Sequence, residues 1–280
     1  MPKYYLSVDL EGVGGVSSLL QCYPKADHTP YEDAVEQLAA EINMVAFALL
    51  EADSHAQIVV NDAHSTMTNL QLGHFISSTL SLISGKPKQC AMMAGLDSSF
   101  DAAFLIGYHA KAGTEKGVLN HTFHPKLYDV KVNGVSYGEG GINAHYASLV
   151  HQVPVVLASG DSAFCEEIRN VIPQILTVET KQGLSTAAAH NVSVDQLEAA
   201  YTKQTQKAIK AKKAFPAKLK SPYTLEMTFT TSLACDVVMT SPLYQRVDGR
   251  TVTTTTDDFE TLYRSLQAAY TMLGYTDYME

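Results

Sequence analysis

The amino-acid sequence predicts an α/β fold with a mainly parallel sheet, helices on both faces of that sheet, and an α+β part at the C-terminus. Three observations predict it. Short apolar runs alternate with longer amphipathic segments, most of the runs end in polar or glycine residues, and the last third of the chain changes to alternating and β-branched patterns. Strands that alternate with helices are typical of βαβ units, whose strands are parallel.

The predicted strands of the parallel sheet are short and apolar. They lie at residues 4–8, 57–60, 81–83, 102–106 and 154–158. A helix over residues 31–51 follows the first strand, because Val35, Leu38 and Ile42 recur at helical spacing. Ligands bind at the carboxyl edge of such open sheets, so the polar residues that follow these strands are candidates for a site.

The C-terminal third predicts a mixed arrangement. Its elements are helices at 195–213 and 257–272 and strands at 223–238 and 251–256. Prolines and lysines at 215–222 mark a boundary. We therefore expect an α/β domain over residues 1–215 and an α+β part over residues 216–280, which can be continuous with that domain.

Composition and charge narrow the possible partners. The chain has 280 residues, of which 46% are hydrophobic, and a formal net charge of −9. An acidic chain repels a phosphate backbone, and the lysines within residues 203–220 are spaced as on the solvated face of a helix. We expect no nucleic-acid partner.

Cysteine usage and hydropathy indicate the compartment. The four cysteines lie far apart and form no CxxC pair, which is typical of free, buried thiols. The sequence begins with no apolar stretch of signal-peptide length, and no apolar run approaches the roughly 20 residues that cross a bilayer. We expect a cytoplasmic protein with no membrane partner.

The first candidate ligands are Asp9 and Glu11, which follow the first predicted strand. Residues i and i+2 of an extended backbone point to the same side, so both carboxylates can converge on one cation. The glycines that follow allow a sharp turn close to a ligand. An Asp-x-Glu pair is common, however. This pattern alone leaves two other interpretations open: that the carboxylates are solvated in a loop, or that they cap a helix.

His64 and His109 follow two other predicted strands, at the same expected edge as the two carboxylates. A lone histidine is more often structural, but two at equivalent strand ends favour a site. Imidazole and carboxylate are the groups that bind zinc in hydrolytic sites.

Glu139 and His121 are weaker candidates. Glu139 lies between glycines, just before a predicted helix at residues 142–150, where a carboxylate also favours the helix dipole. His121 lies in a polar loop after His109. The other histidines lack such placement, and we expect them to be structural or exposed; they are His28, His55, His74, His124, His145, His151 and His190.

Several other chemistries have no motif in the chain. The sequence contains no GxSxG, no P-loop and no HExxH, and the glycines at 12–15 depart from GxGxxG. None of the cysteines has an evident histidine partner in the sequence.

Five motifs, in order, resemble the DppA-type zinc-dependent D-aminopeptidase family. The motifs are SVDLEG at 7–12, NDAHS at 61–65, GYHA at 107–110, NHT at 120–122 and GEGGINA at 138–144. The likeness extends over nearly the whole chain, and five ordered motifs are far more specific than any one of them.

The resemblance implies a site with two zinc ions per subunit. Asp9 would bridge the metals, and His121 would be a catalytic histidine that does not bind metal. It also implies release of N-terminal D-residues from short peptides, and a ring-like homo-oligomer with a decamer as the expected size. The other metal ligands implied are Glu11, His64, His109 and Glu139.

We therefore interpret the chain as a metal-dependent aminopeptidase that acts on short peptides or amino-acid amides, with the site in domain 1–215. Two alternatives remain. Asp-x-Glu after a first strand also opens two-metal phosphoesterase and exonuclease sites, although these favour magnesium and oxygen ligands. A non-catalytic, metal-stabilised scaffold is the other.

Overall fold

A computed structural model describes residues 1–24, 29–211, 215–216 and 218–278. His28 lies outside the described residues. So do Lys212 and Lys213, at the end of the helix predicted over 195–213, and residues 214 and 217 beside the predicted boundary.

Twelve strands and six helices occur in the described residues. The strands are β1 (Lys3–Val8), β2 (Gln57–Asp62), β3 (Leu80–Ile83), β4 (Ala102–Tyr108), β5 (Leu127–Val132), β6 (Val135–Ser136), β7 (Val155–Asp161), β8 (Leu176–Ser185), β9 (Ala188–Asn191), β10 (Tyr223–Phe229), β11 (Gln245–Arg246) and β12 (Thr251–Thr256). The helices are α1 (Thr29–Ala52), α2 (Glu139–His151), α3 (Ser162–Val171), α4 (Val194–Ala208), α5 (Ser232–Val238) and α6 (Phe259–Leu273).

The main sheet is mostly parallel, as the sequence predicts. Its order is β3-β2-β1-β4-β7-β8-β9, and only β9 runs antiparallel to its neighbour. All five strands predicted for this sheet are present. Val8 of β1 lies beside Asp62 of β2 on one side and Ile106 of β4 on the other, so these three strands end together at the carboxyl edge.

Helices pack on both faces of the main sheet because its strands are apolar on both sides. Leu6 and Val8 belong to a core shared with Leu38 of α1 and Leu197 of α4. The alternate residue Tyr5 belongs to a second core. That core also holds buried residues of α2, α3 and α6.

A second sheet, separate from the first and antiparallel throughout, has the order β11-β12-β10-β5-β6. It combines β5 and β6, from residues 127–136, with the C-terminal strands. The division of the chain at residues 215 and 216 stays a prediction.

One predicted element is wrong in its second half. The strand predicted over 223–238 ends at Phe229, and α5 begins at Ser232. The Thr231 side chain accepts a hydrogen bond from the Ala234 amide, which caps the helix at its N-terminus. The β-branched pair Val237 and Val238 favours a strand by propensity, but the cap and the burial of Val238 select a helix. The hairpin β5–β6 and the strands β8 and β9 are not predicted from the sequence.

Within the described ranges, we find no helix that combines the length and the apolar character needed to cross a membrane.

Candidate metal centre

Three neighbouring strands bring the first candidate ligands together. Asp9 follows β1 directly, His64 lies two residues after β2, and His109 follows β4 directly. Since β2, β1 and β4 are adjacent and parallel, their carboxyl ends place these side chains next to one another.

Asp9, Glu11 and His64 form the first group, which we call the Glu11 cluster. The His64 Nδ1 atom lies 3.1 Å from Asp9 Oδ1 and 3.0 Å from Glu11 Oε2. All three side chains are buried, with at most 4% of any of them exposed. Their ligand atoms are close enough to hold one metal ion.

His109, His121 and Glu139 form the second group, the Glu139 cluster. The Glu139 Oε1 atom lies 3.4 Å from His109 Nε2 and 3.8 Å from His121 Nε2. The two imidazole rings stack with their centroids 4.1 Å apart and their planes 14° apart. Their atoms could also hold one metal, and the His121 side chain is the most exposed of the three, at 25%.

Asp9 connects the two clusters. Its Oδ1 atom faces His64, and its Oδ2 atom lies 3.5 Å from His109 Nε2. One carboxylate therefore presents one oxygen to each cluster, an arrangement that suits a carboxylate shared by two cations.

Backbone carbonyls hold the ring nitrogens that face away from the centre. Cys22 O lies 2.7 Å from His64 Nε2, and Ala110 O lies 3.0 Å from His109 Nδ1. His121 Nδ1 similarly lies 3.0 Å from its own partner, Leu119 O. An N–H donated to a carbonyl leaves the other ring nitrogen as a lone pair that faces the site, as metal-binding histidines require.

Backbone amides hold two of the carboxylates. Leu10 N donates to Asp9 Oδ1 at 2.9 Å, and Phe123 N donates to Glu139 Oε1 at 2.5 Å. Glu139 is also the first residue of α2, where the helix dipole favours negative charge. Burial opposes its ionisation, but the charges of His109 and His121 keep the pKa of Glu139 below its ordinary value.

Crowding of charge shifts the pKa values in the Glu11 cluster in opposite directions. Burial, together with the negative charge of Glu11, raises the pKa of Asp9 to about 7. Burial also disfavours a charged His64, yet the Glu11 carboxylate raises the pKa of His64 well above its ordinary value. For Glu11, burial is outweighed by the charge of His64, so its pKa is well below the usual range. Without a metal, these groups must hold protons to balance three buried carboxylates.

The residues present fit a metal ion. His109 Nε2 is buried and makes no hydrogen bond to any residue that the structure describes. It faces two carboxylates that lack a lysine or arginine partner within the described chain. Nitrogen and carboxylate oxygen donors at closed, buried positions are the set that zinc accepts.

The structure brings together all six site residues that the sequence predicts. Sequence reasoning does not find the carbonyl of Cys22 or the amide of Phe123, since backbone atoms leave no signal in side-chain identity. Among the other histidines, His145 is buried, whereas His55 and His190 are exposed and lie outside both clusters.

Comparisons with known proteins agree on one family. The D-aminopeptidase family, peptidase family M55, matches residues 2–268. A D-aminopeptidase of Bacillus subtilis (strain 168) is 32% identical over 212 residues, which are 75% of this chain and 74% of that protein. The solved structure of the Zn-dependent D-aminopeptidase DppA from Bacillus subtilis, described as a self-compartmentalizing protease, superimposes with a TM-score of 0.90 at 28% identity. That match covers 97% of this chain and 98% of DppA. The chain therefore belongs to the D-aminopeptidase family of hydrolases.

Proposed function

We propose that the chain is a zinc-dependent aminopeptidase with two zinc ions per subunit, active in the cytoplasm. The observation that carries the proposal is the placement of Asp9, whose two oxygens face two separate groups of ligands. The Zn-dependent relative DppA supports zinc as the metal. Family membership favours this reading over a two-metal phosphoesterase or a scaffold.

The ligands divide between the two metal positions. Asp9 would bridge them, Glu11 and His64 would complete one, and His109 and Glu139 would complete the other. Two Zn²⁺ ions more than balance the three carboxylates, so the protons that Asp9 and His64 otherwise hold are released on binding. Each zinc would then have three protein ligands, which would leave one of its usual four places for a ligand that is not protein.

When bound, a zinc pair lowers the pKa of water and polarises a carbonyl, which is the chemistry that amide hydrolysis needs at neutral pH. His121 acts beside the metals as a catalytic residue. Burial and the neighbouring His109 lower the pKa of His121, so its imidazole is neutral at pH 7. A neutral Nε2 atom can accept a proton from the attacking water and pass it to the leaving amine.

The proposed substrates are short peptides or amino-acid amides with an N-terminal D-residue, as the names of the family and of its relatives suggest. A screen of purified protein tests this directly. We expect about two zinc ions per chain by metal analysis, and faster hydrolysis of D- than of L-aminoacyl amides. A chain free of zinc after purification and zinc reconstitution, or one that hydrolyses phosphodiesters but no amide, would overturn the proposal.

The proposed assembly is a ring-like homo-oligomer, with a decamer as the expected size. The description of DppA as self-compartmentalizing supports it. Light scattering should then give a mass about ten times that of the 30.4 kDa chain. A stable monomer at working concentration would contradict the assembly and leave the metal site untouched.

A further inference from the structure

A buried lysine of β8 holds the segment that carries Glu11. Only 1% of Lys181 is exposed. Its Nζ atom donates to Glu11 O at 2.6 Å, to Val13 O at 2.7 Å, and also to Val16 O. An ammonium group has three N–H donors, so these three carbonyls satisfy it completely.

The preceding residue of β8 makes a further contact with the same segment. The Thr180 hydroxyl donates to Gly12 O at 2.6 Å. On the opposite side, Gly12 N donates to Gly107 O at 2.8 Å. A Cβ atom at Gly12 would lie 1.8 Å from Tyr108 O, so the backbone passes directly against β4. Segment 11–16 is therefore fixed between β4 and β8.

The partners of this buried lysine are carbonyls of one turn rather than a carboxylate. No carboxylate of the described residues lies within 4.0 Å of Lys181 Nζ, so the buried charge gains no ion pair. Burying a charge is costly, and here three backbone carbonyls, rather than a carboxylate, offset that cost. What the ammonium supplies, and an apolar side chain cannot, is a common anchor for three carbonyls of one turn.

We propose that Lys181 is a positioning residue for the metal position of the Glu11 cluster. By fixing the Glu11 carbonyl and the turn after it, Lys181 holds the Glu11 carboxylate 3.0 Å from His64 Nδ1. This inference rests on the proposed two-zinc function. The metal position of the Glu139 cluster depends on β4 and α2 and does not need Lys181.

Zinc affinity of Lys181→Met tests the inference. Methionine keeps the length of the side chain and removes its donors. In a chelator-competition titration of the full-length protein, we expect one of two zinc ions to bind about 10–100-fold more weakly, the range typical of outer-shell changes, while the other is unchanged. Tyr244→Phe is the matched control, because it removes a buried side-chain hydrogen bond, to Ser265 O, that involves no member of either cluster. It should leave both affinities as in the wild type.

A second variant covers the case in which Lys181→Met does not fold. Thr180→Val removes one contact with the same segment and no charge, so we expect a smaller weakening of the same single zinc ion. The inference is overturned if a folded Lys181→Met, or Thr180→Val in its place, binds both zinc ions as the wild type does or weakens both equally. A wild-type chain that takes up no zinc overturns the proposed function first, so the two failures are distinguishable.

Discussion

The two clusters of the candidate metal centre differ in how closed they are. The side chains of the Glu11 cluster follow two adjacent strands and are buried. Thr180 and Lys181 of β8 hold the backbone of the turn that begins at Glu11. The Glu139 cluster draws its members from a strand end, a loop and a helix N-terminus, and its His121 side chain is a quarter exposed. Both have the same kinds of donor, so the difference lies in access.

This difference in access predicts different roles for the two clusters. A closed cluster holds a metal firmly and admits little else, whereas a cluster with a partly exposed imidazole can meet a substrate. A hydrolytic site needs both properties: fixed charge, and a proton carrier within reach of the leaving group. We therefore expect substitutions in the two clusters to have different consequences.

The largest loss of zinc affinity and activity is expected at Asp9, because its carboxylate contacts both clusters. Asp9→Asn replaces a carboxylate by a neutral amide, which has one oxygen and cannot bridge two cations. Zinc affinity should fall at both positions, by more than the roughly 10–100-fold typical of an outer-shell change, and activity should be lost.

Metal analysis after dialysis measures the Asp9→Asn outcome. The exposed Asp195→Asn on α4 serves as the control and should keep both zinc ions. Full metal content in Asp9→Asn would remove the bridging role and make the two clusters independent.

His121→Ala should separate catalysis from metal binding in the Glu139 cluster. If His121 carries a proton, the variant keeps its zinc and its fold, and kcat falls by about 100-fold or more. The exposed histidine of β9 provides the control, because His190→Ala should change neither quantity.

Zinc content and kcat of the same His121→Ala preparation decide its role. Its 3.8 Å distance from Glu139 Oε1 also permits metal binding, and loss of one zinc would assign it as a ligand. Unchanged kcat with full zinc would make it a loop histidine that merely satisfies the Leu119 carbonyl.

A paired substitution compares the clusters directly. Glu11→Gln and Glu139→Gln each keep side-chain volume and remove one charged ligand, so each should bind about one zinc ion per chain tightly. Only Glu139→Gln should also raise KM, by about tenfold or 1.4 kcal/mol, because the open cluster is the one that we expect to contact substrate. Equal changes of KM in the two variants would remove the proposed difference in access.

The parallel sheet is predictable from the sequence because its strands are buried on both faces and read as continuous apolar runs. The run at 102–106 shows this, since every residue of β4 is buried. β8 is not predictable in the same way. It contains Glu179, Thr180 and Lys181, and what makes it a strand is pairing with β7 rather than its own apolar pattern.

The same contrast applies to the site. Asp9, His64 and His109 are predictable because parallel strands end at one edge, so position in sequence implies proximity in space. Glu139 and His121 depend on the family resemblance, because a loop and a helix start carry no such geometric rule. Lys181 lies 170 residues from the carbonyl that it holds, and a single lysine in a strand gives no sequence signal of that contact.

The smallest effect is the pH dependence of stabilisation by zinc. In the metal-free protein, the pKa of Asp9 is raised from 3.8 to about 7, so the folded state holds a proton that the unfolded state loses above about pH 4. This contribution to stability is lost as pH rises through 7. The pKa values of His64 and His109 are also raised, and their contribution, present below pH 6.5, falls in the same direction.

The lowered pKa values of Glu11 and Glu139 act only below about pH 4.5, outside this window. The lowered pKa of His121 acts in the opposite direction, but only up to about pH 6.5. Between pH 6.5 and 8, the two clusters therefore contribute less to the stability of the metal-free protein, while zinc meets less competition from protons. The rise in Tm on adding zinc should be larger at pH 8 than at pH 6, by about 2–4 °C for each kcal/mol of added stabilisation.

Thermal unfolding with chelator and with excess zinc, at pH 6, 7 and 8, measures this difference. Groups remote from the site cancel between the two curves at each pH, so the change in the zinc-induced shift reports the clusters alone. Asp9→Asn should show little zinc-induced shift at any pH. A wild-type shift that is constant or shrinks toward pH 8 would mean that the buried carboxylates and histidines do not exchange protons for metal. The two clusters would then be a hydrogen-bonded core rather than a metal centre.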